Sequence, residues 1–381
     1  MHDLKLYPTF TAVGIKDRVV LLSNNGECLH EIVISPSTPV ENAVNAKDGE
    51  NGNGPLQPAH VVTLEYCPVS KVLAVSLSDK TLQSYRLKES EGELSSEPLG
   101  DRIQAIRTIV CMKFAPKHGV LFGCDKSDCF EFDPFGKAEK QPKWILGHMS
   151  QILGMAVSED ERFIITCDRD EKIKVTSYPD CHNIVGYCLG HHEYVGGLEL
   201  LSQQALLSVS GDKTLRLWNY SDGKEIICHN LDDPAVGVAL QPLKDTGGAL
   251  CAVRSLVTNK IEVVHIQQDD SEKKCVPCET LSVEDGLAIV QAALNPSLEL
   301  VVLAVDKESK AVKFLVYTFD ANKRCFAECI DHLLQKKLQN HFEGSKIEQL
   351  RDYSTLFKNT IDNLSDYFER KKLKIDGKKS K

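Results

Sequence analysis

Two short clusters place chemically reactive side chains close together in the sequence. Cys275 and Cys278 have the Cys-x-x-Cys spacing of metal and redox motifs, but no second Cys or His pair lies nearby at zinc-ligand spacing, and the stretch reads as a polar loop. His191 and His192 stand beside Glu193, a combination that can transfer protons, yet the repeat described below already gives His191 a structural role. No nucleophile, base and orienting residue form a set. We therefore expect neither a metal site nor a catalytic site.

Cofactor loops are a further kind of reactive motif. A phosphate or dinucleotide loop needs glycines at fixed spacing between a strand and a helix, so that backbone N–H groups can approach the phosphates. The sequence has no such loop, and Gly247 and Gly248 read as a turn between strands. We predict that the chain binds no cofactor.

Size and charge narrow the classes of function further. The chain has 381 residues and a net charge of -9, which argues against a body that binds nucleic acid over its whole surface. Residues 1–15 lack the basic start and apolar run of a secretory signal, and no apolar stretch is long enough to span a bilayer. The 14 cysteines are scattered without a secretory context. These features predict a soluble intracellular protein with no membrane contact and mostly reduced cysteines.

A repeat organises the elements that carry these residues. The segments "VLAVSLSDKTLQSYRL", "FIITCDRDEKIKVTSYP" and "LLSVSGDKTLRLWNY" each contain a short apolar strand, a polar turn with Asp, and a second alternating strand. Weaker copies lie between and after them, and successive units from the second onward are 42 to 51 residues apart. The apolar anchors of the seven units are Val20, Leu82, Phe130, Ile173, Leu215, Ile261 and Val312.

A period in the low forties with strand-rich units is the signature of a seven-bladed β-propeller of the WD-repeat kind. The best unit resembles the Gly-His to Trp-Asp frame of these repeats, with Asn219 in place of the final Asp. The unit before it matches less completely, because Thr176 stands where Trp is expected. This resemblance implies hydrogen-bonded tetrads that brace the blades, formed by His191, Ser208, Asp212 and Trp218 in one unit and by His148, Thr166 and Asp170 in the other.

The chain divides into two parts by composition. We predict an all-β propeller over residues 1–330, with residues 35–58 as a flexible inserted loop rich in Pro, Gly and Asn. Residues 331–381 form a helical C-terminal extension, in which apolar residues three or four apart predict an amphipathic helix from about Glu348 to Lys374. Residues 370–381 carry a net charge of +6. Because the whole chain carries -9, the preceding 369 residues carry -15. A basic tail on an acidic body can contact phosphate, serve as a nuclear address or remain solvated.

The segments "CDRDEKIKVTSYP", "CLGHHEYVGGLELL" and "LLSVSGDKTLRLWNY" closely resemble the WD-repeat, non-catalytic subunit of the eukaryotic tRNA (guanine-N7-)-methyltransferase. The match is most specific over residues 144–224 and is loose in the insert and the tail. In that family a separate subunit binds S-adenosylmethionine and methylates a guanine of the tRNA, while the propeller holds and stabilises it. The resemblance implies a heterodimer with that catalytic subunit, contact with tRNA through the complex, and location in the nucleus, with the cytoplasm left open.

The resemblance also implies a docking patch in the charged turn of the fourth unit. Blade geometry accounts for part of this turn, and the remaining charges favour contact with the catalytic subunit. Members of the family mostly carry Arg at the position of Lys174, and Lys cannot reproduce the two-pronged contact of a guanidinium with a carboxylate. The expected partner-binding residues are Asp168, Arg169, Glu171, Lys172 and Lys174. The tail residues expected to lie near tRNA are Arg370, Lys371, Lys372 and Lys374.

Two other functions of WD-repeat propellers stay open at this point. Substrate receptors of cullin ubiquitin ligases often carry a Trp-Asp-x-Arg ending on a blade, but Asn219 and Ser221 replace the Asp and Arg here. A chromatin-reading propeller is compatible with the nuclear-looking tail.

Overall fold

The computed structural model describes residues 2–24, 29–35, 59–90, 93–135, 142–243, 248–256, 259–269 and 272–358. Within these ranges, 28 strands form seven four-stranded antiparallel sheets, and in each sheet the strands follow one another in chain order. The seven sheets are the blades of a propeller, which confirms the predicted fold.

The first four blades each comprise four consecutive strands. Blade 1 contains β1 (His2–Leu6), β2 (Phe10–Ile15), β3 (Arg18–Ser23) and β4 (Leu29–Val33), and blade 2 contains β5 (Val61–Cys67), β6 (Val72–Leu77), β7 (Thr81–Ser90) and β8 (Glu93–Gln104). Blade 3 contains β9 (Cys111–Phe114), β10 (Leu121–Cys124), β11 (Asp128–Phe132) and β12 (Lys143–Gly147), and blade 4 contains β13 (Ile152–Val157), β14 (Phe163–Asp168), β15 (Ile173–Ser177) and β16 (Ile184–Cys188).

The last three blades are followed by a helix. Blade 5 contains β17 (Val195–Leu200), β18 (Ala205–Ser210), β19 (Thr214–Asn219) and β20 (Lys224–Asn230), and blade 6 contains β21 (Ala235–Pro242), β22 (Ala249–Ser255), β23 (Lys260–Asp269) and β24 (Glu272–Ser282). Blade 7 contains β25 (Leu287–Leu294), β26 (Glu299–Asp306), β27 (Val312–Asp320) and β28 (Cys325–Glu328), after which come α1 (Leu333–His341) and a 3₁₀ turn (Ser354–Leu356).

The seven repeat anchors all lie in the third strand of a blade. The second strands are buried on both faces, because each blade packs between two neighbours; all six residues of β6 and of β18 are buried. Strands of this kind read as nearly continuous apolar runs and not as an alternation of apolar and polar residues. This is why the repeat period was a clearer signal than the pattern within any one strand.

The ring closes by packing between blades 1 and 7, since β1 contacts both β5 and β25. Every strand of blade 1 comes from the N-terminal end of the chain and every strand of blade 7 from the C-terminal end, so no sheet mixes the two. The helix α1 covers this joint. Leu334, Leu338 and Phe342 form one apolar cluster with residues of both blades, including Leu4 and Phe314. The helix therefore strengthens a junction at which the two described sheets share no backbone hydrogen-bond ladder.

The C-terminal segment differs from the predicted long helix. Residues 342–358 contain no α-helix and only one 3₁₀ turn, so the prediction is wrong from Glu348 to Lys358. The apolar side chains of Leu356 and Phe357 pack instead on one end of the propeller, where an extended chain reaches more of the surface than a helix does. Residues 359–381 lie outside the described part of the chain, as do residues 36–58 of the predicted insert.

Two further features concern the chain as a whole. Among the described residues, no helix is both long and apolar enough to cross a membrane. The 13 cysteines in the same ranges are free thiols, and most of them are buried or half-buried. Burial raises the pKa of several of them, as it does for Cys188 to about 12, so these thiols stay protonated and pack as small apolar groups.

Candidate functional site

The blade frame brings the same kinds of turn and loop together at one end of the propeller. In a four-stranded antiparallel blade, the turn between the second and third strands lies at the same end as the loop leading to the next blade. We call this end the tetrad face, because histidines of the inter-blade loops bond there to carboxylates of the turns. In blade 5, His191 Nδ1 lies 3.0 Å from Asp212 Oδ2, and His191 Nε2 lies 2.7 Å from Ser208 Oγ. Trp218 Nε1 donates to the same hydroxyl at 2.8 Å.

The protonation of this tetrad follows from its geometry. An ionised carboxylate only accepts, so Nδ1 of His191 carries the proton and Nε2 accepts from the Ser208 hydroxyl. Burial lowers the pKa of His191 and keeps the ring neutral. Burial works against ionisation of Asp212, but hydrogen bonds from His191, Thr214 and the His192 N–H outweigh it and hold the pKa of Asp212 well below its usual range. The polar groups of the tetrad are thus hydrogen-bonded to one another. They brace the blade and are not available for proton transfer.

Blade 4 uses a different aspartate from the one predicted. His148 Nδ1 lies 2.9 Å from Asp168 Oδ2 and its Nε2 lies 2.7 Å from Thr166 Oγ1, whereas Asp170 takes no part. The other oxygen of Asp168 accepts the backbone N–H groups of Asp170 and Lys172, both at 2.9 Å. One carboxylate at the end of β14 therefore braces the histidine and closes the turn at once. The assignment of Asp170 to the tetrad is wrong, and Asp168 takes that position.

The fourth member of this tetrad is missing. Thr176 is fully buried in β15, and its hydroxyl has no hydrogen-bond partner among the described residues. Blade 4 is held by three side chains, as the sequence indicated.

Two of the five expected partner-binding residues are inside the blade. Asp168 is 2% exposed and Lys174 is 6% exposed. The Lys174 ammonium donates to the Gly147 carbonyl at 2.5 Å, and burial lowers the pKa of this lysine. The structure therefore assigns Asp168 and Lys174 to the interior of blade 4, in place of the surface role expected of them.

The other three residues lie in the turn between β14 and β15, on the tetrad face. Lys172 is exposed, while Arg169 and Glu171 are partly exposed. Arg169 Nε lies 3.9 Å from Asp170 Oδ1, and the Lys172 ammonium donates to the Asp170 carbonyl at 3.4 Å. These local contacts are weak, so the Arg169 and Lys172 charges remain available to another surface.

Three exposed apolar side chains lie in loops at the same end of the propeller as this turn, and the sequence analysis did not predict them. Met149 is fully exposed, Ile106 is 74% exposed and Leu189 is 64% exposed. Each lies in one of three successive inter-blade loops, which lead into blades 3, 4 and 5. Two of them could have been noticed from their position beside the glycine and histidine of the repeat frame. Met149 follows His148, and Leu189 precedes Gly190. We call Ile106, Met149 and Leu189 the apolar arc.

The two loops on the other side of the same face are acidic. The loop into blade 6 carries Asp232 and Asp233, and the loop into blade 7 carries Glu284 and Asp285. The apolar residues of these loops, Leu231 and Val283, are buried. Among the described loops of the tetrad face, we call those into blades 3, 4 and 5 the apolar half and those into blades 6 and 7 the acidic half.

A C-terminal strap crosses the tetrad face from blade 7 to blade 4. It begins where Lys346 pairs with Ala311 beside blade 7 and ends at Lys358 over blade 4. Arg254 of blade 6 donates to the Tyr353 hydroxyl at 2.9 Å, and its guanidinium lies 5.1 Å from the centre of the Tyr353 ring. A cavity of about 470 Å³ lies beneath the strap, lined among others by His2, Arg254 and Val290. We call residues 346–358 the strap.

The described residues offer no site for a metal, since no group of three or more His, Cys, Asp or Glu side chains in these ranges could hold one. Cys275 and Cys278 lie in the strand β24, and the expectation of a polar loop there is wrong. Their side chains pack into two different apolar clusters, one shared with blade 5 and the other with blade 7. Because the two thiols point to opposite faces of the sheet, they cannot share one metal ion. The expected tRNA-proximal residues Arg370, Lys371, Lys372 and Lys374 lie outside the described part of the chain.

Comparison with known proteins supports the propeller fold and indicates one family of WD-repeat proteins. Residues 135–322 match the family model described as the tRNA methyltransferase TRM82 WD40 domain. A relative from Anopheles gambiae is 54% identical over 100% of both chains and bears the name tRNA (guanine-N(7)-)-methyltransferase non-catalytic subunit wuho. A relative of the same name from Aedes aegypti is 35% identical over 98% of this chain and 97% of its own. One from Drosophila melanogaster is 33% identical over 86% of this chain and 77% of its own.

Among solved structures, a chain from a crystal structure of the mitotic checkpoint complex superimposes with a TM-score of 0.59. It covers 77% of this chain and 80% of its own length at 13% sequence identity. At that identity the likeness shows the propeller fold alone.

Proposed function

The chain belongs to the family of tRNA (guanine-N7-)-methyltransferase non-catalytic subunits, and from that premise we propose that it is the scaffold on which the catalytic, S-adenosylmethionine-dependent subunit docks. The observation that carries the proposal is the apolar arc. Three exposed aliphatic side chains on successive loops of one face are costly to leave in water, and such a patch marks an interaction surface.

The charges around the arc would orient the partner. Arg169 and Lys172 lie in the turn of blade 4, between the loops that carry Met149 and Leu189. An apolar centre with charged residues at its edge is the usual anatomy of a specific protein interface. We propose that Met149 and Leu189 supply most of the affinity, while Arg169 and Lys172 steer the encounter and fix the orientation.

Docking on this face would also stabilise the catalytic subunit. A partner that binds only the folded form of a protein shifts its unfolding equilibrium by mass action. In this proposal the two chains form a heterodimer that works in the nucleus, and tRNA meets the heterodimer and not the propeller alone. The basic residues 370–381 would add phosphate contacts at the edge of the docked pair.

A matched set of variants tests the docking face. Met149→Glu combined with Leu189→Glu places two charges in the proposed interface, and we expect the affinity for the catalytic subunit to fall on the order of 100-fold. The control is Val69→Glu, because Val69 is 63% exposed in the turn between β5 and β6, at the opposite end of the propeller. The measurement is co-purification of the two subunits, followed by titration.

The controls separate docking from folding. All three substituted residues are on the surface, so thermal unfolding of the isolated variants should match that of the wild type. If the double variant binds the catalytic subunit as tightly as Val69→Glu does, the apolar arc is not the docking surface. No feature of the described residues favours a cullin substrate receptor or a chromatin reader over this function.

A further inference from the structure

Three cysteines of blade 3 lie side by side on neighbouring strands. Cys124 of β10 is paired in register with Cys111 of β9 on one side and with Cys129 of β11 on the other. Directly opposed residues of antiparallel strands have Cα atoms about 4.5 to 5.5 Å apart, which falls within the range of disulfide bonds. All three are free thiols in one cluster between blades 3 and 4. The sheet thus places the Cys124 thiol within bonding reach of two others.

The three thiols differ in their access to solvent. Cys124 and Cys129 are fully buried, and Met155 Sδ of blade 4 lies 3.9 Å from the Sγ atom of each. Cys111 is half-buried. Its strand β9 is the first of its blade and packs against the first strands of blades 2 and 4, around the centre of the ring. Of the three thiols, Cys111 is therefore the one that a small oxidant can reach.

The surroundings of Cys111 favour its thiolate. A hydrogen bond from the Cys124 thiol lowers the pKa of Cys111 against the opposing effect of burial, and the charges of Lys5 and Lys113 add to the lowering. Burial raises the pKa of Cys124 well above its usual range, so that thiol keeps its proton. Among the described cysteines with a shifted pKa, Cys111 is the one whose pKa is lowered. Positive surroundings and partial exposure are typical of reactive cysteines.

We propose that Cys111 and Cys124 are a site of reversible oxidation, at which hydrogen peroxide converts the two thiols to a disulfide. The Cys111 thiolate attacks one peroxide oxygen, so that an S–O bond forms, the O–O bond breaks and the departing hydroxide becomes water. The Cys124 sulfur then attacks the sulfenic sulfur of Cys111. An S–S bond forms, the S–O bond breaks, and the Cys124 proton leaves with the hydroxide as a second water. The two thiols lose two electrons and the peroxide gains them.

This modification site does not depend on the proposed docking function. Cys111 is the first residue of β9 and follows directly on the loop that carries Ile106. At the same point, the Val110 N–H donates to the Cys124 carbonyl at 2.8 Å. The disulfide would therefore add a covalent link where this loop joins the blade.

Peptide mapping of the full-length chain tests the pair, because cleavage after Lys and Arg places each of the three cysteines on a different peptide. Cys111 lies on residues 108–113, Cys124 on residues 118–126 and Cys129 on the next peptide. After brief exposure to stoichiometric hydrogen peroxide and alkylation of the remaining thiols, we expect the first two peptides to be joined. A dithiol reductant should release them. Joined peptides of Cys124 and Cys129, or no joined peptides, would overturn the proposal.

Cys228 provides an internal comparison for reactivity. It is exposed, and partial desolvation raises its pKa, whereas Cys111 is half-buried and has a lowered pKa. We expect the Cys111 thiol to react with hydrogen peroxide about tenfold faster than the Cys228 thiol, since the thiolate is the nucleophile. Loss of the Cys228 thiol at the same rate or faster would contradict the activation of Cys111.

Two matched variants separate the roles of the buried thiols. Cys124→Ser keeps a hydrogen-bond donor beside Cys111 but cannot form the disulfide, so oxidation should stop at the Cys111 sulfenic acid, which a 1,3-diketone labels. Cys129→Ser changes the other fully buried thiol and should leave the disulfide unchanged, and it controls for the effect of a buried hydroxyl on folding. Diketone labelling of Cys111 that is as strong in the wild type as in Cys124→Ser would show that Cys124 does not resolve the sulfenic acid, and the proposed pair would be wrong.

Discussion

The two halves of the tetrad face are built on the same backbone but have opposite chemistry. Loops into blades 3, 4 and 5 project Ile106, Met149 and Leu189 into solvent. Loops into blades 6 and 7 bury their apolar residues, Leu231 and Val283, and expose carboxylates. The four-stranded frame of the blades does not dictate this difference, because it repeats around the ring.

The comparison shows which residues of a propeller can change to bind a partner without harming the fold. Side chains that brace a blade, such as His148 and Asp168, are buried and satisfied, and their loss harms the fold. Side chains that project from the loops are free to specify a partner. The charged turn of blade 4 contains both kinds within five residues, from Asp168 to Lys172. The first test of the comparison is therefore to separate the two kinds inside that turn.

The largest effect is expected for Asp168→Ala. This change leaves the His148 ring and two turn N–H groups without their acceptor in a buried site, which costs about 2 to 4 kcal/mol of unfolding free energy. Asp170→Ala should cost less than about 0.5 kcal/mol, because that side chain bonds to nothing in the tetrad. Urea unfolding of the two variants is the measurement. Equal losses would contradict the assignment of Asp168 as the bracing carboxylate.

A fall in pH should have an intermediate effect on the free energy of unfolding. It should act on the blades beneath both halves of the tetrad face. The pKa of His191 is lowered in the folded state by burial, so the unfolded chain takes up a proton first as the pH falls. The free energy of unfolding should therefore decline as the pH drops below about 6.5, the ordinary pKa of histidine. Burial also lowers the pKa of other histidines and adds to the same trend: His2 (to about 4), His30, His229 and His265.

A second decline should begin below about pH 4, the ordinary range of aspartate. Hydrogen bonds lower the pKa values of Asp168 and Asp212 against the opposing effect of burial, so their stabilisation is present above that pH and is lost below it. Equilibrium unfolding at constant ionic strength from pH 7.5 to 3.5 tests both steps. A free energy that is flat or rises as the pH is lowered from 7.5 to 5 would contradict the buried, neutral state of His191.

The smallest effect is expected for Lys172→Glu. Lys172 is an exposed residue at the edge of the apolar arc, so its reversal should slow association with the catalytic subunit a few-fold and leave the unfolding free energy unchanged. The difference should shrink in high salt, since exposed charges are screened. Stopped-flow association at two salt concentrations is suitable. Lys174→Glu is the contrasting variant, because it buries a carboxylate against the Gly147 carbonyl and should destabilise the blade.

Much of the fold could be predicted because the propeller is periodic. Seven anchors, regularly spaced from the second onward, were enough to place the third strand of every blade. The assignment of Asp170 failed for a local reason: an ungapped alignment with Asp212 cannot reveal that a carboxylate two residues earlier reaches the same histidine. The strap was missed because apolar residues spaced three or four apart also suit an extended segment that packs on a surface, as Tyr353, Leu356 and Phe357 do.

The apolar arc could not be predicted for another reason. Met149, Leu189 and Leu231 are all large apolar residues of inter-blade loops, yet the first two project into solvent and the third is buried. Their direction depends on how each loop packs against the next blade, and this is a property of the assembled ring. Sequence alone indicated the charged turn and left its apolar surroundings unnoticed.

Hydrogen exchange of the propeller subunit, alone and in complex with the catalytic subunit, tests the central claim most directly. We expect complex formation to slow exchange in residues 105–110, 148–150 and 189–193, the loops of the apolar arc. Residues 231–234 and 283–286, the acidic loops of the same face, should exchange at equal rates in both states. Protection confined to the acidic loops, or to turns at the opposite end of the propeller, would contradict the account.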